Sequence, residues 1–539
     1  MRAVILSLGL ALLLCASSAA QFCDPPGEYV GTTSYPLQSL ESSTNRISID
    51  SEGWISVVWT QDLYGGRPRF VYCNFRDGSG QWSFEGGSRV AEENGTGFPT
   101  VALMPDDRLA VTYHSADSYP GSYIRLAIDQ VRGFGIFTEY SVPDTLPDGN
   151  DCLWPRVAVS ASGDIHILMR ESRDGGYTGN LAYTRSEDGG ADWTAPATVD
   201  SVSGYSASIT AAPDGKVAIV YPRPNVWENS YGFKNDVCYF SSADGREWDF
   251  SEPINITDYE NDDLDIYYFG GLDAVYDFQG YLNVIWSTGH FDEVGNPLDD
   301  AISLWHYSER NGGINLASEM TDPDVTCEMP GLQISMPTMS VDSQGDVEII
   351  YAGYVDTDVS SEGDCVGDLY MVFGTGFGET WYGPYNITAT HSPGCLPGEC
   401  QSEGQQSTAE VMADSVHLTY LMQKLGDNRD TVFYMPVAVP YWLSADDTED
   451  IPTAFRLRGN YPNPFNSRTL IEFETVGENT VSLNIYDISG ALVETLYEGR
   501  LESGPHSIAW NAESCASGVY YYRLSAGSDS QVGRMVLLK

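Results

Sequence analysis

The chain has 539 residues, 27 of them Lys or Arg and 76 Asp or Glu, for a formal net charge of −49 at pH 7. A phosphate backbone needs a basic face, so nucleic acid is excluded as a partner. The length exceeds what one ordinary core supports, and past the leader no stretch approaches the roughly 18 consecutive apolar residues of a transmembrane span.

In chain order, residues 1–20 read as a signal peptide. Arg2 is the early charge, Ala3 to Leu14 is apolar, and Ser18-Ala19-Ala20 is a small-residue cleavage site that leaves Gln21 as the mature N-terminus. Cys15 follows Leu14, where a lipoprotein signal would carry a small residue, which argues against lipidation.

Residues 21–443 are expected to form a domain of repeated hairpins. An apolar strand, a Gly or Asp turn and a second apolar strand recur seven times. First strands are expected to open at Ile47, Pro99, Pro155, Ser208, Leu272, Pro337 and Ala409. The second strands run through Trp59, Tyr113, Met169, Tyr221, Trp286, Tyr351 and Tyr420, and all but one of these residues are aromatic. Repeated hairpins imply an all-β fold, and with the turn motifs in phase with them, given below, a β-propeller is expected. Seven hairpins favour seven blades, with six as the alternative. The outermost strand of the last blade is expected from the N-terminus, around Tyr29 to Tyr35.

Two turns after third strands carry a further pattern. They are Ser186, Asp188, Gly190 and Trp193, and, one residue shorter, Ser242, Asp244, Gly245 and Trp248. Carboxylate and hydroxyl can accept the turn's backbone donors, Gly permits its geometry, and Trp packs beneath. These turns resemble the Asp boxes of BNR-repeat, sialidase-like propellers; Asp77 to Trp82 and Gly376 to Trp381 read as decayed copies. The resemblance implies a structural role for them, on the face away from the propeller's usual site. Pro253-Ile-Asn-Ile-Thr257 and Pro384-Tyr-Asn-Ile-Thr388 repeat each other as well.

The functional face then takes the entries of first strands and the exits of second strands. Arg156, Arg170 and Arg223 fall there, with Trp154 flanking the third entry. Three arginines can clamp a carboxylate bidentately, and the resemblance implies a sugar acid as its bearer. Asp117 or Glu171 are the candidates for acid–base chemistry. The family's Phe-Arg-Ile-Pro motif is absent near the first blade, which puts catalysis in doubt.

An acidic linker follows at 444–455, ending beyond Pro452. Residues 456–539 read as a small immunoglobulin-like β-sandwich of alternating strands from Thr469 onward. It opens on Tyr461, Pro462, Asn463, Pro464, Phe465 and Asn466. With Ile485-Tyr-Asp-Ile-Ser-Gly490, Ser517-Gly-Val-Tyr-Tyr-Tyr-Arg-Leu524 and the terminal Arg534-Met-Val-Leu-Leu-Lys539, this opening resembles the type A C-terminal sorting domain of the type IX secretion system. The resemblance implies outer-membrane secretion machinery as a partner and a secreted or outer cell-surface location.

Export permits disulfides, and Cys395 with Cys400, bent by Pro397 and Gly398, is the expected local pair; Cys327 with Cys365 is a second. No cofactor or metal is expected. A calcium site is left open without a supporting motif, its densest acidic cluster being Asp258, Glu260, Asp262, Asp263 and Asp265. The leading function is binding of an extracellular glycan or protein; a sialidase-type glycoside hydrolase and a structural surface protein are the alternatives.

Overall fold

The computed structural model describes residues 26–39, 44–62, 68–115, 123–173, 176–204, 206–224, 235–259, 267–291, 297–321, 334–390, 393–396, 398–412, 415–424, 429–438, 455–461, 465–475, 479–487, 492–501, 504–512, 515, 518–526 and 529–537. The leader, Asp117, Cys327, Pro462 to Pro464, all but Phe455 of the linker and all but Asp258 of the acidic cluster lie outside them. No helix among the described residues is long and apolar enough to cross a membrane. The chain divides into two compact units, Met1–Leu443 and Ser444–Lys539.

The first unit is all-β. It holds seven four-stranded antiparallel sheets. Six take four consecutive strands each. The seventh takes Gln401–Thr408, Ser415–Lys424 and Asp430–Ala438, and its fourth strand is Glu28–Thr33, from the other end of the unit. This matches the expected N-terminal contribution, beginning one residue and ending two residues earlier than Tyr29 to Tyr35. Seven apolar clusters are each drawn from two consecutive sheets. The last joins Leu421, Val432 and Tyr434 of the seventh sheet to Ile47, Val57 and Trp59 of the first, so the stack returns on itself in a propeller-like cycle.

Burial on both faces explains the second strands. In Ile55–Asp62 seven of eight residues are buried, because neighbouring sheets cover it on either side. The aromatic residues that end these strands, Trp59, Tyr113, Tyr221, Trp286, Tyr351 and Tyr420, are all 0% exposed and are the largest wedges between sheets. First strands are tied across sheets by polar side chains at one equivalent position. Asp273 Oδ2 accepts from Met339 N at 3.0 Å, Thr338 Oγ1 from Thr408 N at 3.1 Å, and Ser407 Oγ from Arg46 N at 3.0 Å. The last of these joins the seventh sheet to the first.

One first strand was misplaced by the sequence. The seventh was expected at Ala409 to Asp414, but pairing runs through Gln401–Thr408. That segment, Gln-Ser-Glu-Gly-Gln-Gln-Ser-Thr, has no apolar residue to betray it, yet Ser402, Glu403, Gln406, Ser407 and Thr408 are buried. Ser407 and Thr408 bond to neighbouring first strands and Gln406 Nε2 donates to Ser335 O, polar burial that hydrophobic patterning cannot see.

The turns after Ser186 and Ser242 form as their chemistry predicts. Asp188 Oδ1 accepts from Asp192 N and Ser186 Oγ, both at 2.9 Å, and Trp193 Nε1 donates to Gly190 O at 2.9 Å. Asp244 Oδ1 accepts from Arg246 N at 2.8 Å, and Trp248 Nε1 donates to Gly245 O at 3.0 Å. Each turn also locks onto the preceding sheet. Tyr183 Oη donates to Gly245 O at 2.9 Å, and a Cβ on Gly245 would lie 2.4 Å from the His166 ring. The two Asn-Ile-Thr repeats have the same local logic. Asp236 accepts from Asn255 Nδ2 at 2.9 Å and Thr257 Oγ1 at 2.7 Å, and Asp368 accepts from Asn386 Nδ2 at 2.7 Å and Thr388 Oγ1 at 3.2 Å.

Cys395 and Cys400 form a disulfide, and Cys365 is disulfide-bonded too. In the second unit, a three-stranded and a four-stranded sheet share one core around Phe473, Ile485, Trp510, Tyr522 and Leu524. A strand unread in the sequence, Phe455–Tyr461, opens the unit, so the Tyr461 to Asn466 segment leaves a strand and seats Phe465 against Trp510 at 5.6 Å.

Candidate functional site

Five of the seven sheets shift register where the first strand begins, one of them between Tyr268 and Leu272, and the other four share a single form. The hairpin register shifts between Gly97 and Thr100, Leu153 and Arg156, Ser335 and Thr338, and Gly404 and Ser407. Inside each bulge stands a non-glycine residue in the left-handed region: Phe98 at φ 54°, Trp154 at 52°, Met336 at 51° and Gln405 at 51°. That backbone costs on the order of 1 kcal/mol or more per residue. Three of the four precede a proline, Pro99, Pro155 and Pro337, which has no N–H to withdraw from the ladder. A bulge re-aims its side chain. The same strain, repeated at the same end of four hairpins, marks that end as built for its side chains.

Those side chains are joined in sequence around the cycle. Gln405 Nε2 lies 3.2 Å from Met336 Sδ, and its Oε1 accepts from Gln38 N at 2.9 Å and Ser39 N at 3.1 Å. Gln38 donates onward to the carbonyls of Tyr35 at 2.7 Å and Thr60 at 3.0 Å. The Tyr35 ring meets Phe98 edge-on at 6.0 Å, Phe98 stacks on His114 at 5.1 Å, and His114 meets Trp154 edge-on at 6.2 Å. The chain of contacts thus runs from the sixth sheet through the seventh and first to the third. Tyr35, Phe98 and Trp154 are half-buried, leaving ring surface open.

Two arginines charge this rim. Arg69 donates from Nη1 to Tyr35 Oη at 3.1 Å and from Nη2 to Gly95 O at 3.2 Å, and its guanidinium lies 5.0 Å from the Tyr35 centroid and 5.7 Å from that of Phe98. Arg46, 1% exposed, donates from Nη2 to Gln405 O. Burial pushes its pKa down to about 9. His114 is pushed down to about 3 by burial and then by Arg69, so it is neutral. Its Nδ1 accepts from Trp154 N at 3.2 Å, which leaves its proton on Nε2. The ring therefore serves as an aromatic support rather than as a base at Nδ1.

The residues singled out in the sequence sit beside this rim, each with protein partners. Arg156, 9% exposed, shares the tier of Arg46 and has Asp273 as a charge neighbour. Arg170 donates to Ser203 Oγ at 3.0 Å and Ser206 O at 2.5 Å. Arg223 pairs with Asp200 at 2.9 Å, so Arg170 and Arg223 grip opposite parts of the 200–206 segment. Glu171 is buried, with its two oxygens accepting from Asn150 and Asn180 Nδ2. Ser186 and Ser242, which open the Asp188 and Asp244 turns, pair with Ile165 and Val217, at the opposite ends of the second strands from Arg170 and Arg223.

Sequence reasoning passed over Tyr35, Arg46, Arg69, Phe98, Met336 and Gln405. A signal existed for two of them: Phe-Pro and Met-Pro repeat Trp-Pro at the head of a first strand. It also passed over Glu403. There, the Thr390 hydroxyl lies 2.6 Å from Glu403 Oε2 and 3.0 Å from Asp368 Oδ1. One hydroxyl proton cannot serve two carboxylates, and burial followed by the Asp368 charge pushes Glu403 up to about 8. Deeper on the axis, Asn45, Ile47, Val101, Val157 and Glu410 line a cavity of ≈ 200 Å³.

Residues 460–538 match the family model described as a secretion system C-terminal sorting domain. The protein is accordingly secreted or attached to the outer-membrane surface. None of the curated proteins matches the chain. Among solved structures, it is similar to an ulvan lyase, a polysaccharide lyase, at 12% identity and TM-score 0.49, covering 77% of this chain and 96% of that one. It is also similar to an α-L-arabinanase of Penicillium chrysogenum, at 13% identity and TM-score 0.39, covering 64% and 93%. A protein of unknown function from Dyadobacter fermentans is similar at 12% identity and TM-score 0.40, covering 77% and 100%.

Proposed function

We propose that the first unit is a seven-bladed β-propeller that binds an extracellular glycan at the bulged ends of its first strands, and that the sorting tail carries it through the type IX secretion machinery. The observation that carries this reading is the run of strained, half-buried side chains, with Tyr35, Phe98 and Trp154 offering ring faces. Sugar rings present C–H faces that pack on aromatic rings, while amide and guanidinium groups between the rings take hydroxyls. The Ser186–Trp193 and Ser242–Trp248 turns act as Asp boxes, clips between blades with no part in binding.

A sialidase-type hydrolase would need Arg156, Arg170 and Arg223 free to clamp one carboxylate. The partners that Arg170 and Arg223 already hold favour binding without hydrolysis, so a fluorogenic sialoside should remain intact in the presence of the protein. The decisive experiment is titration of the full chain against a panel of soluble polysaccharides, followed by calorimetry and tryptophan emission. At least one should bind saturably, and Trp154→Ala should weaken it by about tenfold or more, a loss of roughly 1.4 kcal/mol. Failure of every polysaccharide to bind would sink the glycan reading.

A further inference from the structure

We propose that the group seated at this rim is an anion, a carboxylate or sulfate ester carried on a sugar, held by Arg46 and Arg69. The inference rests on the glycan reading and names its substrate class. Its basis is a charge left uncompensated where compensation would have been easy. Three other shielded arginines of the unit pair with a carboxylate, Arg76 with Glu28 at 2.7 Å, Arg132 with Asp50 at 2.5 Å and Arg185 with Glu187 at 2.5 Å, while Arg170 is held by Ser203 Oγ and Ser206 O. In a chain with 76 acidic residues to 27 basic ones, such pairing is the default.

Arg46 and Arg69 depart from it. Among the described residues neither has a carboxylate within ion-pair distance. Their partners are the neutral oxygens of Gln405, Gly95 and Tyr35. The Nε of each is buried and without a partner. A buried ion carries a desolvation penalty of several kcal/mol that neutral acceptors offset only in part. Two ring faces near Arg69 recover a little of it. An incoming anion would recover much more, since charge-assisted bonds are about twice as strong as neutral ones, and the guanidinium fork fits a carboxylate or sulfate bidentately. With its pKa near 9, Arg46 stays protonated at neutral pH. The overall −49 does not forbid this. At physiological ionic strength, exposed charges beyond about 8 Å are largely screened, so the groups in contact decide.

The test uses the full chain in calorimetric titrations with polygalacturonate, dextran sulfate and carboxyl-reduced polygalacturonate, and with free glucuronate and inorganic sulfate as monomer arms. At least one charged polymer should bind about tenfold or more tighter than the reduced polymer. Arg69→Gln should erase that difference, weakening the charged polymer about tenfold more than the reduced one. Arg69 is only half-buried, which makes this variant safer than one at Arg46; Arg46→Lys, which keeps charge but not the fork, should give an intermediate loss. Equal binding of charged and reduced polymers, or an unchanged preference in Arg69→Gln, would overturn the anion and leave the glycan reading standing. Binding of free sulfate with no polymer bound would overturn the sugar-borne ligand together with the glycan reading.

Discussion

The two ends of the hairpins in the first unit obey opposite rules. At the turn end, Asp188 and Asp244 satisfy donors within a few residues, glycines occupy most of the left-handed positions, with Asp107 and Phe377 as exceptions, and turns repeat their neighbours. At the entry end, Phe98, Trp154, Met336 and Gln405 hold left-handed backbone without being glycine, and no two carry the same side chain. Where evolution needed only a turn, it used the residue that turns without strain. Where it kept the strain, it kept a large side chain with it. Repetition marks structure here, and its failure marks the place where individual side chains matter.

The contrast can be broken by measurement. The largest effect is expected at the turn end, from Gly245→Ala. The new Cβ meets the His166 ring at 2.4 Å on a backbone with φ of 69°, so left-handed strain adds to overpacking. A loss of about 3 kcal/mol or more should appear as a lower denaturant midpoint of the first unit, with glycan binding intact below it. A loss under about 1 kcal/mol would mean that the clip is looser than drawn.

Next in size is a pH effect at the entry end. The Glu403 pKa is raised from 4.5 to about 8 by burial and by Asp368, so the folded state holds a proton that the unfolded state gives up earlier. The associated stability is fully present below about pH 4.5 and is lost as pH rises through 8, on the order of a few kcal/mol. Glu403→Gln should flatten the stability curve between pH 5 and 9, and an unaltered slope would show that other acids set it.

Trp154→Gly then inverts the turn-end experiment. It relieves a left-handed residue, by about 1 kcal/mol, while deleting ring contacts of similar size. Thermal stability should hardly change while glycan affinity falls about tenfold; a large destabilisation with binding retained would make Trp154 a structural wedge. Ser407→Ala removes the acceptor for Arg46 N between the seventh and first sheets and should lower stability by about 1 kcal/mol in a urea titration. Smallest is Arg223→Ala. Its pair with Asp200 is 44% exposed on the arginine side, so no more than about 0.5 kcal/mol should be lost.

The same contrast governs how much could be read from the sequence. The second strands announced themselves through buried runs capped by Trp or Tyr, because each packs between two sheets. The Asp turns did so because their chemistry closes within eight residues. The Cys395–Cys400 bridge was legible for the same reason. The rim was not. Tyr35, Arg69, Phe98 and Gln405 come from four distant parts of the chain, and only the cyclic stacking of sheets brings them together. The arginines chosen for their positions at strand ends proved to have partners, whereas Arg46 and Arg69, which have no carboxylate partner among the described residues, sat in segments that drew no notice. Gln401–Thr408 was missed because its burial is polar.

Glu28–Thr33 is the earliest strand of this unit to be synthesised and must wait for one of the last. Its neighbour Pro26 meets Tyr420 across 394 residues, and holding such ends together opposes folding by about 5 kcal/mol of loop-closure entropy. The cycle of sheets therefore has a seam, and the seam is its entropically costliest joint. Until it closes, Asp430–Ala438 stays an unpaired edge, open to other chains. For a secreted protein, closing that seam removes an edge on which two copies could otherwise pair.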